Sequence, residues 1–216
     1  ILLREARRAR QLVDDALGLQ VRNADLTRAL HHRATHDSLV DLVNHGEFNR
    51  RLKIIAGSDR RKGGVYSMIF VDLDLFKEVN DSGGHAAGDE VLKAVAAVLK
   101  RCARGGDTAA RVGGDEFAML LDGCPKDRAQ VIAEHVREEI AALRVQHDGK
   151  YYSVCASIGI AHGRAGVHSA DSMLKAADTA CYAAKEEGRN RICVNKASEF
   201  FATTGRFELG LDTGTL

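Results

Sequence analysis

The sequence predicts an α/β fold of the α+β sandwich type, in which helices cover one mixed sheet. Strand-like and helix-like segments alternate through most of the chain. Among them, two adjacent glycines separate apolar runs, which is a tight-hairpin signal. The chain has 216 residues and is 45% hydrophobic, enough for a real core.

The first 33 residues predict a long helix with a coiled-coil seam, a domain of its own. An Asn at one core position is a common way to fix register and strand number. An amphipathic helix packed on its own domain is the alternative, and the arginines of the outer face suit a solvated surface. Three-four spacing places on the seam Leu2, Ala9, Ala16, Asn23, Leu30, Leu12, Leu19 and Leu26.

A joint near residues 34–44 leads into the main domain, residues 34–196. Apolar residues of helical period alternate there with runs of strand length, and Ser169 suits a helix cap. Residues 197–216 show no clear period and are expected to form a tail or linker. The predicted helices are Glu47–Ala56, Asp89–Cys102, Asp127–Leu143 and Ser169–Lys185; the strands are Val65–Leu73, Thr108–Val112, Phe117–Leu121, Tyr151–Ala161 and Arg191–Asn195.

Composition excludes several classes of protein. Lysine and arginine (31) balance aspartate and glutamate (30), so global charge favours neither nucleic acid nor a membrane surface as partner. Five dispersed cysteines without a C-x-x-C pair argue against a disulfide framework or zinc knuckle and indicate a cytoplasmic protein. No run approaches the ~18 apolar residues of a membrane span. Because the chain begins at Ile1, we expect a piece of a longer protein, with an upstream sensor or anchor left open.

The stretch VDLDLFK ends the most apolar predicted strand. Alternation puts Asp72 and Asp74 on one face, where two carboxylates repel unless a hard divalent cation joins them. Two solvated acids at the start of a loop are the alternative interpretation.

The stretch RVGGDEFAML supplies a second acid pair. Gly113 and Gly114 suit the positive-φ positions of a two-residue turn, which leaves Asp115 and Glu116 unexplained. If this hairpin pairs beside the strand that ends near Asp72, four oxygen-bearing side chains gather without histidine or cysteine. Such a set favours Mg²⁺ over zinc and points to phosphoryl or nucleotidyl transfer.

These motifs occur with others in a fixed order: VDLDLFKEVND, GHAAGDEVL, RVGGDEF, SIGIA and AAKEEGRNRI. Together they closely resemble the GGDEF family of diguanylate cyclases, over roughly residues 36–195. The resemblance implies a fold like nucleotide cyclases and polymerase palms, with a central, mainly antiparallel sheet. It also implies condensation of two GTP into cyclic di-GMP, with Mg²⁺ or Mn²⁺, two ions per active site.

The resemblance also assigns roles to residues. Asp72, Asp115 and the carbonyl of Leu73 would bind metal, and Glu116 would assist there or deprotonate the attacking 3′-hydroxyl. Asn80 and Asp89 would recognise guanine, and the carboxylate at position 89 favours GTP over ATP. Phosphate or nucleotide contacts would come from Lys77, Phe76, Gly113, Gly114, Lys185 and Arg189; the last two basic residues lie four apart, as on one side of a helix.

Arg104 and Asp107 match the R-x-x-D site of the family, where the product binds back and inhibits. The joint departs from the family pattern: Val40 and Asp41 stand where threonine and glycine are usual. The loop around residues 81–84 has glycine where an aromatic residue is common. These departures bear on signal transmission and on the guanine pocket.

One such domain supplies half of the reaction, so two must face each other, and the N-terminal coiled coil suits a homodimer under an upstream sensor. The alternative is a non-catalytic GTP- or cyclic di-GMP-binding regulatory module, for example within a phosphodiesterase-linked protein. A polymerase-like nucleotidyltransferase is disfavoured by the missing basic surface for a template.

Overall fold

The computed structural model describes residues 2–58 and 64–195, with the backbone alone up to residue 17. The predicted tail, residues 197–216, lies outside this part. The described helices are α1 Leu2–Thr35, α2 His45–Gly57, α3 Phe76–Cys102, α4 Lys126–Ala141 and α5 Ala170–Glu186. The described strands are β1 Val43–Asn44, β2 Val65–Asp74, β3 Thr108–Arg111, β4 Glu116–Asp122, β5 Val145–His147, β6 Lys150–Tyr152, β7 Cys155–Arg164 and β8 Ile192–Val194.

Six strands form one mixed sheet in the order β1-β3-β4-β2-β7-β8. The central pairs β3-β4, β4-β2 and β2-β7 are antiparallel, while β1 and β8 add to the edges in parallel. Strands β5 and β6 make a separate small ribbon. The predicted mainly antiparallel sheet with flanking helices is confirmed.

Strand β2 lies at the centre of the sheet, and its alternating side chains enter two cores. Ile69, Val71 and Leu73 pack with α3 and α4 on one face. Met68 and Phe70 pack with α2 and α5 on the other. Because side chains alternate along a strand, Asp72 and Asp74 project to the face of α5.

Helix α5 lies very close to the sheet. A Cβ at Gly159 of β7 would overlap the backbone of Ala177 and Cys181. The helix begins at the predicted serine cap, since the hydroxyl of Ser169 accepts from the amide of Ser172. The close approach fixes α5, and therefore Lys185 near its end, against β2.

Helix α3 is longer than predicted, because it starts at Phe76 rather than Asp89. The residues expected to form a loop, 81–84, belong to it. Gly84, at φ 73°, absorbs a kink between two helical pieces. Glycine is permissive enough to bend a helix without ending it.

The predicted strand Tyr151–Ala161 is two strands, β6 and β7. Strand β6 instead pairs with β5 across a turn in which Asp148 and Gly149 have positive φ, 46° and 75°. The Asp-Gly dipeptide is a strong signal for such a turn and could have identified this hairpin from the sequence.

Helix α1 is continuous, as predicted. In its described outer part the seam residues Leu19, Leu26 and Leu30 are 57%, 61% and 66% exposed. These exposed fractions do not support the alternative that the seam of α1 packs on its own domain. The coiled coil stays a prediction. Across the described ranges, no helix combines the length and apolarity needed to cross a membrane.

Candidate active site

The two acidic motifs meet where β2 and β4 pair. In the antiparallel register Asp72 lies opposite Glu116, and the amide of Leu73 donates to the carbonyl of Asp115 at 3.2 Å. The hairpin therefore pairs beside the strand that ends in acids, as predicted. We call Asp72, Asp115 and Glu116 the acidic edge.

The turn that carries Asp115 of the acidic edge is a four-residue connection, residues 112–115, between β3 and β4. The amides of Val112 and Gly113 both donate to the carbonyl of Glu116, at 3.0 and 3.3 Å. Neither Gly113 nor Gly114 has a left-handed φ, so the prediction of a two-residue positive-φ turn is wrong. Gly113 instead leaves room for the Glu116 carboxylate, which a Cβ at position 113 would overlap.

Negative charge accumulates at the acidic edge. Burial raises the pKa of Asp72, as do Asp115 and Asp74, while Lys185 opposes the shift. Burial, followed by the charges of Asp72 and Asp115, raises the pKa of Glu116. Lys185 brings a positive charge to the acidic edge, because its Nζ lies 2.6 Å from Oδ2 of Asp72.

The acidic edge suits a hard cation in its chemistry. Among the described residues, no group of three or more His, Cys, Asp or Glu side chains is gathered closely enough to hold a metal ion. The donors are nonetheless oxygens alone. Burial first, and the charges of neighbouring acids second, raise the pKa of Asp72 and of Glu116, and a divalent cation would stabilise both carboxylates in their charged form. These residues therefore fit Mg²⁺ or Mn²⁺.

Asp74 does not share this role, although it lies on the same face as Asp72. Its Oδ1 accepts from the hydroxyl of Ser157 at 2.7 Å, and its Oδ2 accepts from the amide of Asn190 at 2.9 Å. The pair of carboxylates expected at the end of β2 is thus divided: Asp72 belongs to the acidic edge, and Asp74 accepts hydrogen bonds from protein donors.

A cavity of about 350 Å³ lies between the start of α3 and the hairpin turn. Gly88 shapes one wall, since a Cβ there would overlap the side-chain oxygen of Asn80. The cavity brings together six of the predicted residues: Phe76, Lys77, Asn80, Asp89, Gly114 and Asp115. It also contains His85, Leu92 and Arg111, to which the sequence argument gave no role.

Arg111 fixes the turn. Its Nε and Nη2 donate to the carbonyl of Gly114 at 3.1 and 2.7 Å, and its Nη1 lies 3.4 Å from Oδ1 of Asp37 in the joint. The signal that could have identified it is its position, a cation at the end of β3 directly before the glycines.

The predicted phosphate ligands are dispersed. Lys77 lines the cavity, and Lys185 is paired with Asp72. Arg189 is exposed and lies beyond α5, which ends at Glu186, in a turn where its φ is 61°. The prediction that Lys185 and Arg189 share one side of a helix is therefore wrong.

Arg104 and Asp107 are adjacent, as an R-x-x-D turn requires. Nε of Arg104 lies 3.3 Å from Oδ1 of Asp107, and its Nη2 donates to the carbonyl of Asp122 at 2.7 Å. Asp122 and Glu116 stand at opposite ends of β4, about 20 Å apart along the strand. This pair is thus remote from the acidic edge.

Comparison with known proteins identifies the domain. A family model described as diguanylate cyclase, GGDEF domain, matches residues 34–191. A probable diguanylate cyclase, DgcE of Escherichia coli strain K12, is 36% identical over 187 residues, which is 87% of this chain and 17% of the relative. The cyclic di-GMP phosphodiesterase PdeB of Shewanella oneidensis is 38% identical over 170 residues, 77% of this chain and 19% of the relative. The chain thus spans about a fifth of the length of either protein.

Among solved structures, the coiled coil and GGDEF domain of DgcB from Caulobacter crescentus, in complex with c-di-GMP, superposes with a TM-score of 0.78. The sequences are 29% identical, and the match covers 84% of this chain and 96% of that one. The likeness extends to the arrangement of a central sheet with flanking helices.

Proposed function

The chain belongs to the GGDEF family of diguanylate cyclase domains, and from this premise we propose that it condenses two GTP molecules into cyclic di-GMP. The observation that carries the proposal is the pairing of Asp72 with Glu116 beside a cavity that holds Asn80 and Asp89. The acidic edge, which would bind the phosphates through metal ions, thus lies next to Asn80 and Asp89, an amide and a carboxylate suited to the guanine base.

In the proposed reaction, the 3′-oxygen of one GTP attacks the α-phosphorus of the other. A new O–P bond forms, the bond to the bridging oxygen of the β-phosphate breaks, and pyrophosphate leaves; the second closure repeats this step. Glu116 accepts the hydroxyl proton, a role suited to a carboxylate whose pKa is raised by burial and by neighbouring acids.

Asp72, Asp115 and Glu116, with the carbonyl of Leu73, would hold Mg²⁺ or Mn²⁺, two ions per site. Such ions polarise phosphate oxygens and neutralise developing charge. Lys77, Lys185 and Arg189 bind the triphosphate. Gly113 and Gly114 have no side chains, so the triphosphate can lie close to the turn.

Base selection follows from hydrogen-bond chemistry. The Asp89 carboxylate accepts from guanine N1–H and N2–H, while the Asn80 amide donates to a ring acceptor. Adenine would leave these groups unpaired, so ATP is rejected. Phe76 lines the cavity and is only 8% exposed.

The active unit is a homodimer held through residues 1–33, under the control of an upstream sensor and acting in the cytoplasm. Exposed Leu19, Leu26 and Leu30 on α1 support a partner helix. Removal of residues 1–33 should slow product formation at equal protein concentration, and an unchanged rate would contradict this arrangement.

Incubation with GTP and Mg²⁺, followed by nucleotide chromatography, tests the activity. We expect cyclic di-GMP and pyrophosphate from GTP and no cyclic product from ATP. If a demonstrably dimeric sample yields no cyclic di-GMP, the cyclase proposal is wrong.

A second candidate function is a non-catalytic module that binds GTP or cyclic di-GMP within a larger protein. The similarity to a phosphodiesterase, of which the matched region is 19%, favours it, and so do the paired Arg104 and Asp107. In an active cyclase the same pair would bind product and inhibit. Arg104→Ala should then relieve inhibition by added cyclic di-GMP, and an unchanged inhibition curve would exclude this site.

A further inference from the structure

Asp74 is a buried carboxylate that the proposed chemistry does not use. Only 8% of the residue is exposed, and both of its oxygens accept hydrogen bonds from protein donors. One donor, the hydroxyl of Ser157, belongs to the adjacent strand β7 and is fully buried. The other donor is the backbone amide of Asn190, 116 residues further along the chain.

The segment that Asp74 holds has a costly backbone conformation. Gly188, Arg189 and Asn190 follow α5 with φ values of 114°, 61° and 45°. Two consecutive non-glycine residues in the left-handed region persist only where surrounding contacts fix them. The Asp74 carboxylate supplies one such contact to the main chain, and Arg137 supplies another to the side chain of Asn190 at 2.9 Å.

This turn also contains a proposed phosphate ligand. The amide of Arg189 donates to the carbonyl of Ala184 at 3.0 Å, which closes the end of α5, and the next residue is the one bound to Asp74. Lys185, which reaches Asp72, lies in the last turn of the same helix. The two carboxylates at the end of β2 thus contact the two ends of one segment, residues 185–190, which carries both Lys185 and Arg189.

We propose that Asp74 is a positioning residue for the triphosphate: through the amide of Asn190 it holds the turn that directs Arg189 toward the phosphates. The inference rests on the proposed function, in that Arg189 is taken as a phosphate ligand. It separates Asp74 from the metal-binding role of Asp72, although the two acids share a face of β2.

The conservative variant distinguishes the two roles. In Asp74→Asn, the amide oxygen can accept from Asn190 while the amide nitrogen donates to the Ser157 oxygen, so both hydrogen bonds survive without the charge. Asp74→Ala loses both. A metal ligand does not tolerate either change, and Asp72→Asn serves as the matched control.

Calorimetric titration with a non-hydrolysable GTP analogue and with GMP, in Mg²⁺, measures the effect. Asp74→Ala should weaken binding of the triphosphate analogue about tenfold, as loss of a hydrogen bond to a charged group predicts, and leave GMP affinity unchanged. Asp74→Asn should bind both ligands like the parent. In an Arg189→Ala background, Asp74→Ala should add less than about twofold.

Three results would overturn the inference: GMP weakened as much as the triphosphate, an additive effect in the Arg189→Ala background, or Asp74→Asn as damaging as Asp72→Asn. If Asp74→Ala does not fold by circular dichroism, the comparison of the two asparagine variants decides. A parent protein that binds the analogue and makes no cyclic di-GMP would refute the cyclase proposal while leaving this binding test intact.

Discussion

The acidic edge and the joint between α1 and the sheet both pair acids with cations, and they differ in how far water reaches the pairs. At the edge, the side chains of Lys185 and Asp72 are 34% and 12% exposed. At the joint, His32, Asp41 and Lys100 are all more than half exposed. Because water screens exposed pairs, charge changes at the edge should cost much more than changes at the joint.

Asp41 determines both the backbone conformation and the ion pairs of the joint. Asp41 has a φ of 53°, which explains why the family prefers glycine there, and its carboxylate lies 2.8 Å from Lys100 and 3.0 Å from His32. The aspartate thus links α1 to α3 at the cost of a left-handed backbone. Charge at the joint stabilises the attachment of a helix, whereas charge at the edge serves the reaction in the function proposed above.

The largest effect is expected from Asp72→Asn. Loss of this buried charge removes a carboxylate proposed to bind metal and leaves Lys185 without its ion pair, so turnover of GTP should fall by about 10²-fold or more. Asp41→Asn is the matched control, since it removes one acid charge from the exposed joint. Equal losses of rate in the two variants would contradict the distinction between edge and joint.

Gly88→Ala should come next. A Cβ at position 88 displaces the Asn80 side chain, so the KM for GTP should rise about tenfold or more while the protein stays folded. Gly57→Ala is the control, because a Cβ there meets nothing within 4 Å. Steady-state kinetics of both variants would show whether the cavity recognises guanine; an unchanged KM for Gly88→Ala would argue against it.

Glu47 shows whether burial or position along the chain decides the effect of removing a charge. It follows the joint in sequence, yet it is buried. Hydrogen bonds from Arg50 and Arg51 lower its pKa to about 2 from an ordinary 4.5. The stabilisation is present above pH 4.5 and is lost as the pH falls toward 2. Glu47→Gln should therefore cost about 1 kcal/mol at pH 7, since its arginine partners are partly screened. The difference in free energy of unfolding should vanish at low pH; a difference independent of pH would exclude this charge effect.

The smallest effect is expected from Asp41→Gly. Relief of the left-handed backbone offsets the loss of exposed ion pairs, so the free energy of unfolding should change by less than about 1 kcal/mol. Asp41→Ala loses the ion pairs and keeps the strain, so it should be the less stable variant in urea titration. The reverse order would show that the ion pairs outweigh the backbone strain.

The features of the fold and of the site that could be predicted from the sequence are those that depend on a local residue pattern. Alternation along β2 and the apolar flanks of the glycines identified the strands, and the hypothesis that the hairpin pairs beside β2 brought Asp72 next to Asp115 and Glu116, as the register has it. Prediction from the sequence failed where a contact depends on the three-dimensional arrangement and not on a periodic pattern. The bond from Asn190 to Asp74 leaves no periodic trace, and neither does the space that Gly113 leaves for Glu116. The glycines at 83 and 84 misled because glycine bends a helix as readily as it ends one.

The acidic edge as the centre of catalysis is tested most directly by Glu116→Gln. The variant keeps the shape of the side chain and loses its capacity to accept the 3′-hydroxyl proton. Cyclic di-GMP formation should fall by about 10²-fold or more, while calorimetry shows that the variant still binds a non-hydrolysable GTP analogue. Product formation at the parent's rate, with binding intact, would contradict the account.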